Sequence, residues 1–378
     1  AEFYFWLALG GALGGVFNTL LAPVLFEDPL EYPLALALFA FVARWGARGV
    51  GRRVRWSDLL LGAIPGAVAL AILWAAPRWG LEPGLLLPLA GIACLAVARR
   101  PVPFGLGVAA LVFVGFSLPR ESGDIVFRER TFYGIHRVYR DAENLWLSHG
   151  TTIHGGQNVL EPRVPLTYYH PDGPAGTLFG ALYDRGDPGD ARVAVVGLGT
   201  GSLVAYARPG QRWTFYELDP TVVRLAQNPS YFTFLSDALA PYRIVLGDAR
   251  LSLKEIEEEY DLIIVDAFSS DAIPVHLLTA EAVALYRSRL RRGGWIAFHT
   301  SNRFIDFSPV LADVAAEAGM LAYEATDPVV DEPAGRYPSR WVVLAEVVPG
   351  GEGVGRLLDD PRWQALAPSG GRSWTDAY

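Results

Sequence analysis

Residues 192–202 read RVAVVGLGTGS, an apolar segment that runs into a turn containing Gly197, Gly199 and Gly201. Glycine in such a turn lets the backbone approach a ligand closely, and a helix that begins there offers free N–H groups. Similar apolar segments follow, each ahead of an amphipathic stretch: RWTFYEL, YRIVLGD, DLIIVDAF and GWIAFHT. The alternation predicts a doubly wound, mostly parallel α/β sheet whose ligand lies beyond the carboxyl ends of the strands.

Acidic side chains stand at the ends of the next three predicted strands. Glu217 follows the glycine turn by about twenty residues, where a carboxylate can accept hydrogen bonds from both ribose hydroxyls of a nucleoside. Asp248, followed by Ala249, suits the exocyclic amine of adenine, and Asp266 stands at the mouth of the site. Because the third glycine comes one place earlier than in G-x-G-x-x-G, the pattern favours an adenosine-type ligand without pyrophosphate over NAD.

The same residues also have purely structural explanations. The glycines could serve only to tighten a turn, and Glu217 could cap the helix that follows Pro220. Asp248 is likewise well placed to cap a helix over residues 249–259. Four consecutive strand ends, each with a plausible polar contact, nevertheless favour a binding site.

Charge is distributed very unevenly along the 378 residues. Residues 1–118 contain 14 charged side chains, whereas the remainder contains 34 acidic and 24 basic ones, a net charge of −10. The composition of the first part is typical of a membrane segment, and that of the second part is typical of a water-soluble domain. The net negative charge of the second part excludes a basic surface for binding nucleic acid. The single cysteine, Cys94, excludes a disulfide framework. The histidines lack compact ligand spacing, so we expect no metal.

The first 118 residues are predicted to form a transmembrane helical domain with about five spans, truncated at its N-terminus. Residues 3–26 form an uncharged run of 24, enough to cross a hydrocarbon core of about 30 Å. Its glycine cluster at residues 10–15 predicts close packing against a neighbouring helix. Shorter apolar runs follow at residues 33–43, 59–76, 84–97 and 103–118.

Arginines cluster in two of the predicted loops: Arg44, Arg48, Arg52, Arg53, Arg55, Arg99 and Arg100. The positive-inside rule places both loops in the cytoplasm, so the rest of the chain would emerge outside. A nucleoside ligand is instead expected in the cytosol. We therefore expect a multi-pass protein of the bacterial inner membrane with its large domain in the cytoplasm, although the loop charges favour the opposite side.

Beyond the predicted spans, the chain divides into three parts. Alternating aromatic and β-branched residues from position 124 predict a small β-rich domain at residues 119–185. Residues 186–349 form the Rossmann-like domain, and residues 350–378 form a C-terminal tail. The sequence leaves open whether the protein forms a homo-oligomer.

The sequence resembles the spermidine synthase (polyamine aminopropyltransferase) family, and more closely its bacterial relatives fused to a multispan membrane segment. The resemblance covers nearly the whole chain. It is carried by HGTTIHGGQ at 149–157, LTYYH at 166–170, VVGLGTGS at 195–202, YELDP at 216–220, LGDAR at 246–250, DLIIVDAFSSDAIPVHL at 261–277 and WTDAY at 374–378, together with GGALGGVFNTLLAPVLF and EYPLALAL in the predicted spans.

The resemblance implies a class I fold that binds S-adenosylmethionine or its decarboxylated form as substrate. A propyl-type group would pass from the sulfonium to an amine, leaving 5′-methylthioadenosine. Asp266 matches the family's proton acceptor, although a carboxylate there could act purely electrostatically on the sulfonium. The predicted catalytic residues are Asp266, Tyr169 and His170, and the predicted binding residues are Gly197, Gly199, Thr200, Gly201, Glu217, Asp248, Ala249 and Gln157. By the resemblance, Gln157, Tyr169 and His170 fall near the family's acceptor-side positions.

Two departures from the family bear on the acceptor. Thr200 stands where the soluble synthases carry an aspartate, and their D-S-x-D-P loop is here DAFSSD, with Asp271 five residues after Asp266. A diamine buried without carboxylate partners would leave its charges uncompensated, so putrescine is disfavoured. Another amine, a lipid-borne acceptor, or no acceptor remains open. In the last case S-adenosylmethionine would cyclise or undergo lyase cleavage.

Two other functions remain open. A methyltransferase would share the substrate but leave S-adenosylhomocysteine. A membrane sensor or transporter would bind the nucleoside without turnover, and Thr200 keeps that reading open. Product identification separates these functions.

Overall fold

The computed structural model describes residues 2–45, 55–117, 123–150, 152–184, 188–268, 273–302, 305–346 and 354–377. The chain divides into two compact units, Ala1–Ser122 and Gly123–Tyr378.

The described part of the first unit is helical. Its helices are α1 (Glu2–Val16), α2 (Ala22–Leu25), α3 (Glu31–Trp45), α4 (Trp56–Ala75), α5 (Pro83–Leu86), α6 (Pro88–Ala96) and α7 (Pro101–Ser117), with a π-helical turn at Phe17–Leu21 joining α1 to α2. Among these residues, two helical stretches are long and apolar enough to cross a membrane by length and composition, Glu2–Leu25 and Trp56–Trp79. Three more are apolar but shorter: Glu31–Ala40, Pro83–Ala96 and Pro101–Phe116.

Close helix packing in this unit occurs between α4 and α7. A Cβ atom on Gly62 would lie 2.5 Å from the Cβ of Leu106, and one on Gly66 would lie 2.8 Å from the Cβ of Ala110. By contrast, no atom of the described chain lies within 4 Å of a Cβ built on Gly10, Gly11, Gly14 or Gly15, apart from the surrounding helix itself. Glycines of α4 thus allow the close approach to α7, whereas the packing predicted for the glycine cluster at residues 10–15 stays a prediction.

The second unit begins with a four-stranded antiparallel sheet in the order β1-β2-β3-β4. Its strands are β1 (Asp124–Arg130), β2 (Ile135–Arg140), β3 (Asn144–His149) and β4 (Thr152–Asn158). Val138, Leu145 and Leu147 pack against Leu225 and Phe232, which lie beyond this sheet in the chain. Burial of these apolar side chains fixes the small sheet on the rest of the unit.

An eight-stranded sheet forms the centre of the second unit, in the order β12-β10-β11-β9-β8-β5-β6-β7. Its strands are β5 (Arg192–Val196), β6 (Arg212–Glu217), β7 (Tyr242–Leu246), β8 (Tyr260–Val265), β9 (Leu290–His299), β10 (Met320–Asp327), β11 (Ser339–Glu346) and β12 (Trp363–Leu366). The pairings among β5 to β9 are parallel, and those of β9 with β11, and of β10 with β11 and β12, are antiparallel. The prediction of a mostly parallel α/β sheet is confirmed.

Helices cover both faces of this sheet: α8 (Pro174–Tyr183), α9 (Pro220–Gln227), α10 (Ala249–Glu255), α11 (Ala280–Ser288) and α12 (Ser308–Glu317). Alternate residues of β5 belong to different cores, with Val193 and Val195 on one side and Ala194 and Val196 on the other. A strand buried on both faces is apolar without interruption, which is why VAVV identified it.

The structure differs from the sequence prediction in two places. The glycine turn leads into a 3-10 helix at Ser202–Tyr206, not an α-helix. Since β6 already starts at Arg212, few residues remain between the strands for an α-helix. The stretch labelled a tail contributes β12, which pairs antiparallel with β10.

Candidate active site

A cavity of about 200 Å³ lies at the carboxyl ends of β5 to β8. It is lined by seven residues that the sequence predicted for the site: Tyr169, Gly197, Gly199, Glu217, Asp248, Ala249 and Asp266. We call it the first cavity. The four strand ends that the sequence singled out therefore meet in one place, as parallel topology requires.

The backbone of the glycine turn requires residues without a Cβ. Gly197 has φ +100° and Gly199 has φ +54°, both in the left-handed region. A Cβ on Gly197 would lie 2.4 Å from the carbonyl oxygen of Asp266, and one on Gly199 would lie 2.7 Å from that of His154. The turn thus packs directly against the neighbouring backbones that bound the cavity.

Thr200 and Gly201 belong to the turn but do not line the cavity. Gly201 has φ +80° and approaches Leu235. Thr200 is fully buried, and its Oγ1 has no hydrogen-bond partner among the described residues. The side of the turn formed by these two residues therefore packs against the protein and not against the cavity. The sequence had instead predicted ligand contacts for both residues.

Glu217 is already engaged by backbone donors. Its Oε2 accepts from the N–H of Leu198 at 3.0 Å, and its Oε1 accepts from the N–H groups of Leu218 and Asp219 at 2.7 and 2.8 Å. A carboxylate has about four acceptor positions, so one on Oε2 remains for a ligand hydroxyl. Burial raises the pKa of this carboxyl against the opposing effect of those bonds.

Asp248 has both of the roles considered from sequence. Its Oδ1 accepts from the N–H of Leu251 at 2.9 Å, which caps α10. The residue also lines the first cavity, and its Oδ2 lies 3.8 Å from Nε2 of His276. A capping carboxylate is held rigidly by the helix it caps, which makes it a good binding group.

Asp266 lies in a hydrogen-bonded network. The hydroxyl of Tyr169 donates to its Oδ2 at 2.8 Å, and Nδ1 of His299 lies 2.7 Å from its Oδ1. Nε2 of His299 is in turn 2.7 Å from Oγ of Ser301. Burial, together with the adjacent carboxylate, raises the pKa of Tyr169 well above its ordinary value, so the phenol remains a donor.

A second cavity, of about 610 Å³, lies on the other side of this network. His299, Ser301, Tyr168 and Arg340 are among its lining residues. Three residues line both cavities: His154, Tyr169 and Phe268. Asp266 lines the first cavity and bonds to two residues that line the second, so the two spaces meet at its carboxylate.

Three histidines stack along the wall of the first cavity. The ring centroids of His136 and His149 are 5.0 Å apart, and those of His149 and His154 are 5.6 Å apart. Burial lowers the pKa of His154 to about 3, aided by the neighbouring imidazoles, and burial also lowers the pKa of His149. Both rings are neutral at pH 7, so neither repels a cationic ligand.

Gln157 and His170 line neither cavity. The amide of Gln157 donates to the carbonyl of Pro162 at 2.6 Å and accepts from the N–H of Thr233 at 2.9 Å. Nδ1 of His170 accepts from the N–H of Asp172 at 3.2 Å. The structure thus brings Tyr169 to Asp266 but places these two residues elsewhere. Asp271 lies outside the described residues.

His299 and Ser301 are functional candidates that the sequence reasoning missed. His299 ends the strand GWIAFHT, so the rule that selected the other strand-end residues also applies to it. The sequence alone considers it, with the other histidines, as a metal ligand or as a residue with an ordinary polar or packing role. Across the described chain, no group of three or more His, Cys, Asp or Glu side chains is placed to hold a metal ion.

No protein-family model matches the chain. A polyamine aminopropyltransferase of Vibrio vulnificus (strain CMCP6) is 32% identical over 130 residues, which cover 33% of this chain and 41% of that protein. The match therefore spans less than half of that relative.

Among solved structures, a probable spermidine synthase from Corynebacterium glutamicum ATCC 13032 superposes with a TM-score of 0.52 at 18% identity, over 68% of this chain and 97% of that one. A spermidine synthase from Thermotoga maritima gives a TM-score of 0.45 at 12% identity, over 61% of this chain and 75% of that one.

The second unit therefore has the Rossmann-like fold shared by class I methyltransferases and spermidine synthases. Over the 130 matched residues and in its fold, the chain is similar to the spermidine synthases, which confirms that part of the resemblance indicated by its motifs.

Proposed function

We propose that this chain is an alkyl transferase of the aminopropyltransferase type. Its substrate would be S-adenosylmethionine or decarboxylated S-adenosylmethionine, and its nucleoside product 5′-methylthioadenosine. The observation that carries this proposal is the meeting of two cavities at Asp266. A nucleoside in the first cavity would present its sulfonium near the carboxylate, while a nucleophile approaches from the second.

The chemistry asks little of the protein beyond placement and charge. The sulfonium already supplies the leaving group, so the carbon beside sulfur needs only an aligned nucleophile and the absence of water. Glu217 and Asp248 are suited to hold the ribose and the adenine. The Asp266 carboxylate offsets sulfonium charge, and the neutral rings of His149 and His154 add no repulsion.

The second cavity favours an acceptor with one amine over a diamine. Of its charged side chains, Asp327 is bonded by the guanidinium of Arg336 at 2.8 Å, and Arg340 is paired with Asp306 at 2.9 Å. Charges already neutralised in this way do not compensate a second buried ammonium group. We therefore propose a monoamine, including a lipid-borne one.

The same pairing supports a second candidate, reaction without an acceptor. The carboxylate or amine of S-adenosylmethionine itself would attack intramolecularly, and methylthioadenosine would again leave. A methyltransferase would release S-adenosylhomocysteine instead, and a sensor would release nothing.

We further propose that residues 1–118 form a multi-pass membrane domain. The two helical stretches of spanning length and the three shorter apolar helices support this proposal. After alkaline extraction of membranes, the full chain should remain in the pellet. Protease protection of the second unit in sealed inner-membrane vesicles would identify the side on which it lies, and release into the supernatant would contradict membrane insertion.

The deciding experiment for the reaction is product identification. The full chain, purified in detergent, is incubated with S-adenosylmethionine or its decarboxylated form, with and without single amines and putrescine. Amine-dependent release of methylthioadenosine supports transfer, and amine-independent release supports cyclisation. S-adenosylhomocysteine, or binding without any product, contradicts the proposal.

A further inference from the structure

The proton that leaves an attacking amine needs an acceptor that faces the second cavity. Asp266 lines the first cavity, and two of its roughly four acceptor positions, one on each oxygen, are taken by Tyr169 and His299. Ser301 and His299 line the second cavity. We propose that His299, reached through the Ser301 hydroxyl, is the general base, and that Asp266 positions it. This inference rests on the proposed transfer to an amine nitrogen.

The partners of His299 determine its tautomer. An ionised carboxylate only accepts, so Nδ1, at 2.7 Å from Asp266, carries the proton, and Nε2 carries the lone pair. Nε2 then accepts from the Ser301 hydroxyl at 2.7 Å. A carboxylate, an imidazole and a hydroxyl in this order match the arrangement by which an imidazole is made a directed base.

Counting the bonds of Ser301 shows that it can receive a further proton donor. A hydroxyl has one donor and two acceptor positions. Its hydrogen points to His299, and its Oγ accepts from the N–H of Arg340 at 2.9 Å. One acceptor position is left for an amine N–H in the second cavity, so Ser301 can connect the amine to the imidazole.

The rings around His299 suit a base that must act away from bulk water. His299 is 1% exposed, and its ring contacts those of Tyr168, Tyr169, Phe268 and Trp341 at centroid distances between 4.8 and 5.7 Å. Other titratable groups facing it are Asp266 and His154. The tyrosines act as donors and His154 is neutral, so Asp266 is the group that stabilises an imidazolium.

The proposed step balances as follows. The amine lone pair forms the new N–C bond while the S–C bond breaks, and its electrons remain on sulfur as a neutral thioether. The amine proton passes to Oγ of Ser301 as the serine proton passes to Nε2 of His299. The product is a His299 imidazolium paired with the Asp266 carboxylate. The imidazolium later loses its proton to water.

Substitution of His299 tests the proposal in the full-length detergent-purified chain. Because general-base catalysis contributes about 10²–10⁴-fold, His299→Gln should lower amine-dependent turnover by about 10²–10³-fold. Nucleoside affinity by calorimetry and the thermal midpoint serve as controls for folding. Turnover of this variant within threefold of the wild type overturns the relay. Absence of turnover in the wild type would contradict the proposed function instead.

Chemical rescue distinguishes a base from a space-filling ring. In His299→Gly, added imidazoles of similar size but different basicity should restore turnover, with a rate that rises with the pKa of the added base. A rescue independent of that pKa assigns His299 a structural role and overturns the inference.

Two variants of Ser301, one without and one with a hydroxyl, test this group separately. They also test the relay if the His299→Gly variant does not fold. Ser301→Ala should lower turnover at least tenfold, and Ser301→Thr, which keeps a hydroxyl, should recover part of that loss. Equal turnover in the alanine variant and the wild type would overturn the relay through Ser301.

Discussion

Glu217 and Gln157 were both predicted as ligand contacts, and the structure places them differently. Glu217 ends a parallel strand and lines the first cavity. Gln157 lies near the end of antiparallel β4, and its amide is used to hold the segment around Thr233. In a parallel sheet the carboxyl ends of neighbouring strands lie at the same edge, independently of the loop conformations. The position of a residue in a small antiparallel sheet depends instead on how that sheet packs against the rest of the unit. Position in a strand order is thus the better guide to a site.

The largest expected effect that sharpens this contrast is at Asp266. Asp266→Asn would replace one of the two acceptor oxygens, which face His299 and Tyr169, by an NH2 group, and would remove the charge beside the sulfonium. We expect turnover to fall by about 10²–10⁴-fold with nucleoside affinity nearly unchanged. Steady-state kinetics paired with calorimetry would measure both. Normal turnover would exclude Asp266 from either role.

Glu217→Gln should weaken binding of the nucleoside. A hydrogen bond to a charged group contributes about 1.5–3 kcal/mol, so the dissociation constant for methylthioadenosine should rise by roughly 10–100-fold. Calorimetry measures this directly. An unchanged dissociation constant would leave Glu217 only the role of supporting the glycine turn. Glu217 would then be no more a ligand contact than Gln157.

Asp219 tests whether a carboxylate that lines the first cavity can have a structural role. Burial alone would raise its pKa, but hydrogen bonds from His136, Thr131 and the N–H of Thr221 lower it to about 2. A lowered pKa contributes stability above the unfolded value near 4, and this is lost as pH falls towards 2.

The wild type should therefore lose about 2 kcal/mol of unfolding free energy between pH 4 and pH 2 through Asp219. Asp219→Asn should lack that part of the pH dependence. Urea unfolding followed by tryptophan fluorescence at both pH values compares the two proteins. An identical pH dependence would refute the assignment.

Gln157→Leu provides the matched comparison for Glu217. The substitution leaves the partly buried N–H of Thr233 without its acceptor, which should cost about 1 kcal/mol of stability. Because the side chain lies outside both cavities, nucleoside affinity should change less than threefold. Urea unfolding and calorimetry on the same sample separate the two effects. A large loss of affinity with normal stability would return Gln157 to the site.

Sequence periodicity predicted the large sheet because β5 and β8 are buried on both faces, which makes their residues apolar without interruption. It overestimated the element after the glycine turn, since nothing in LVAY distinguishes a 3-10 turn from the start of an α-helix. It also missed β12, because a four-residue edge strand carries little pattern of its own.

The sequence by itself determined the parallel order of strands and, with it, the meeting of Gly197, Glu217, Asp248 and Asp266, because covalent order and right-handed crossovers leave few other topologies. Only the tertiary structure decided which groups surround Asp266. The carboxylate is bonded by Tyr169, far from it in the chain, and by His299, which ends a different strand and in turn bonds to Ser301. No local sequence pattern encodes these hydrogen bonds. Such contacts depend on how whole elements dock, and that is fixed by burial of apolar surface over the entire unit.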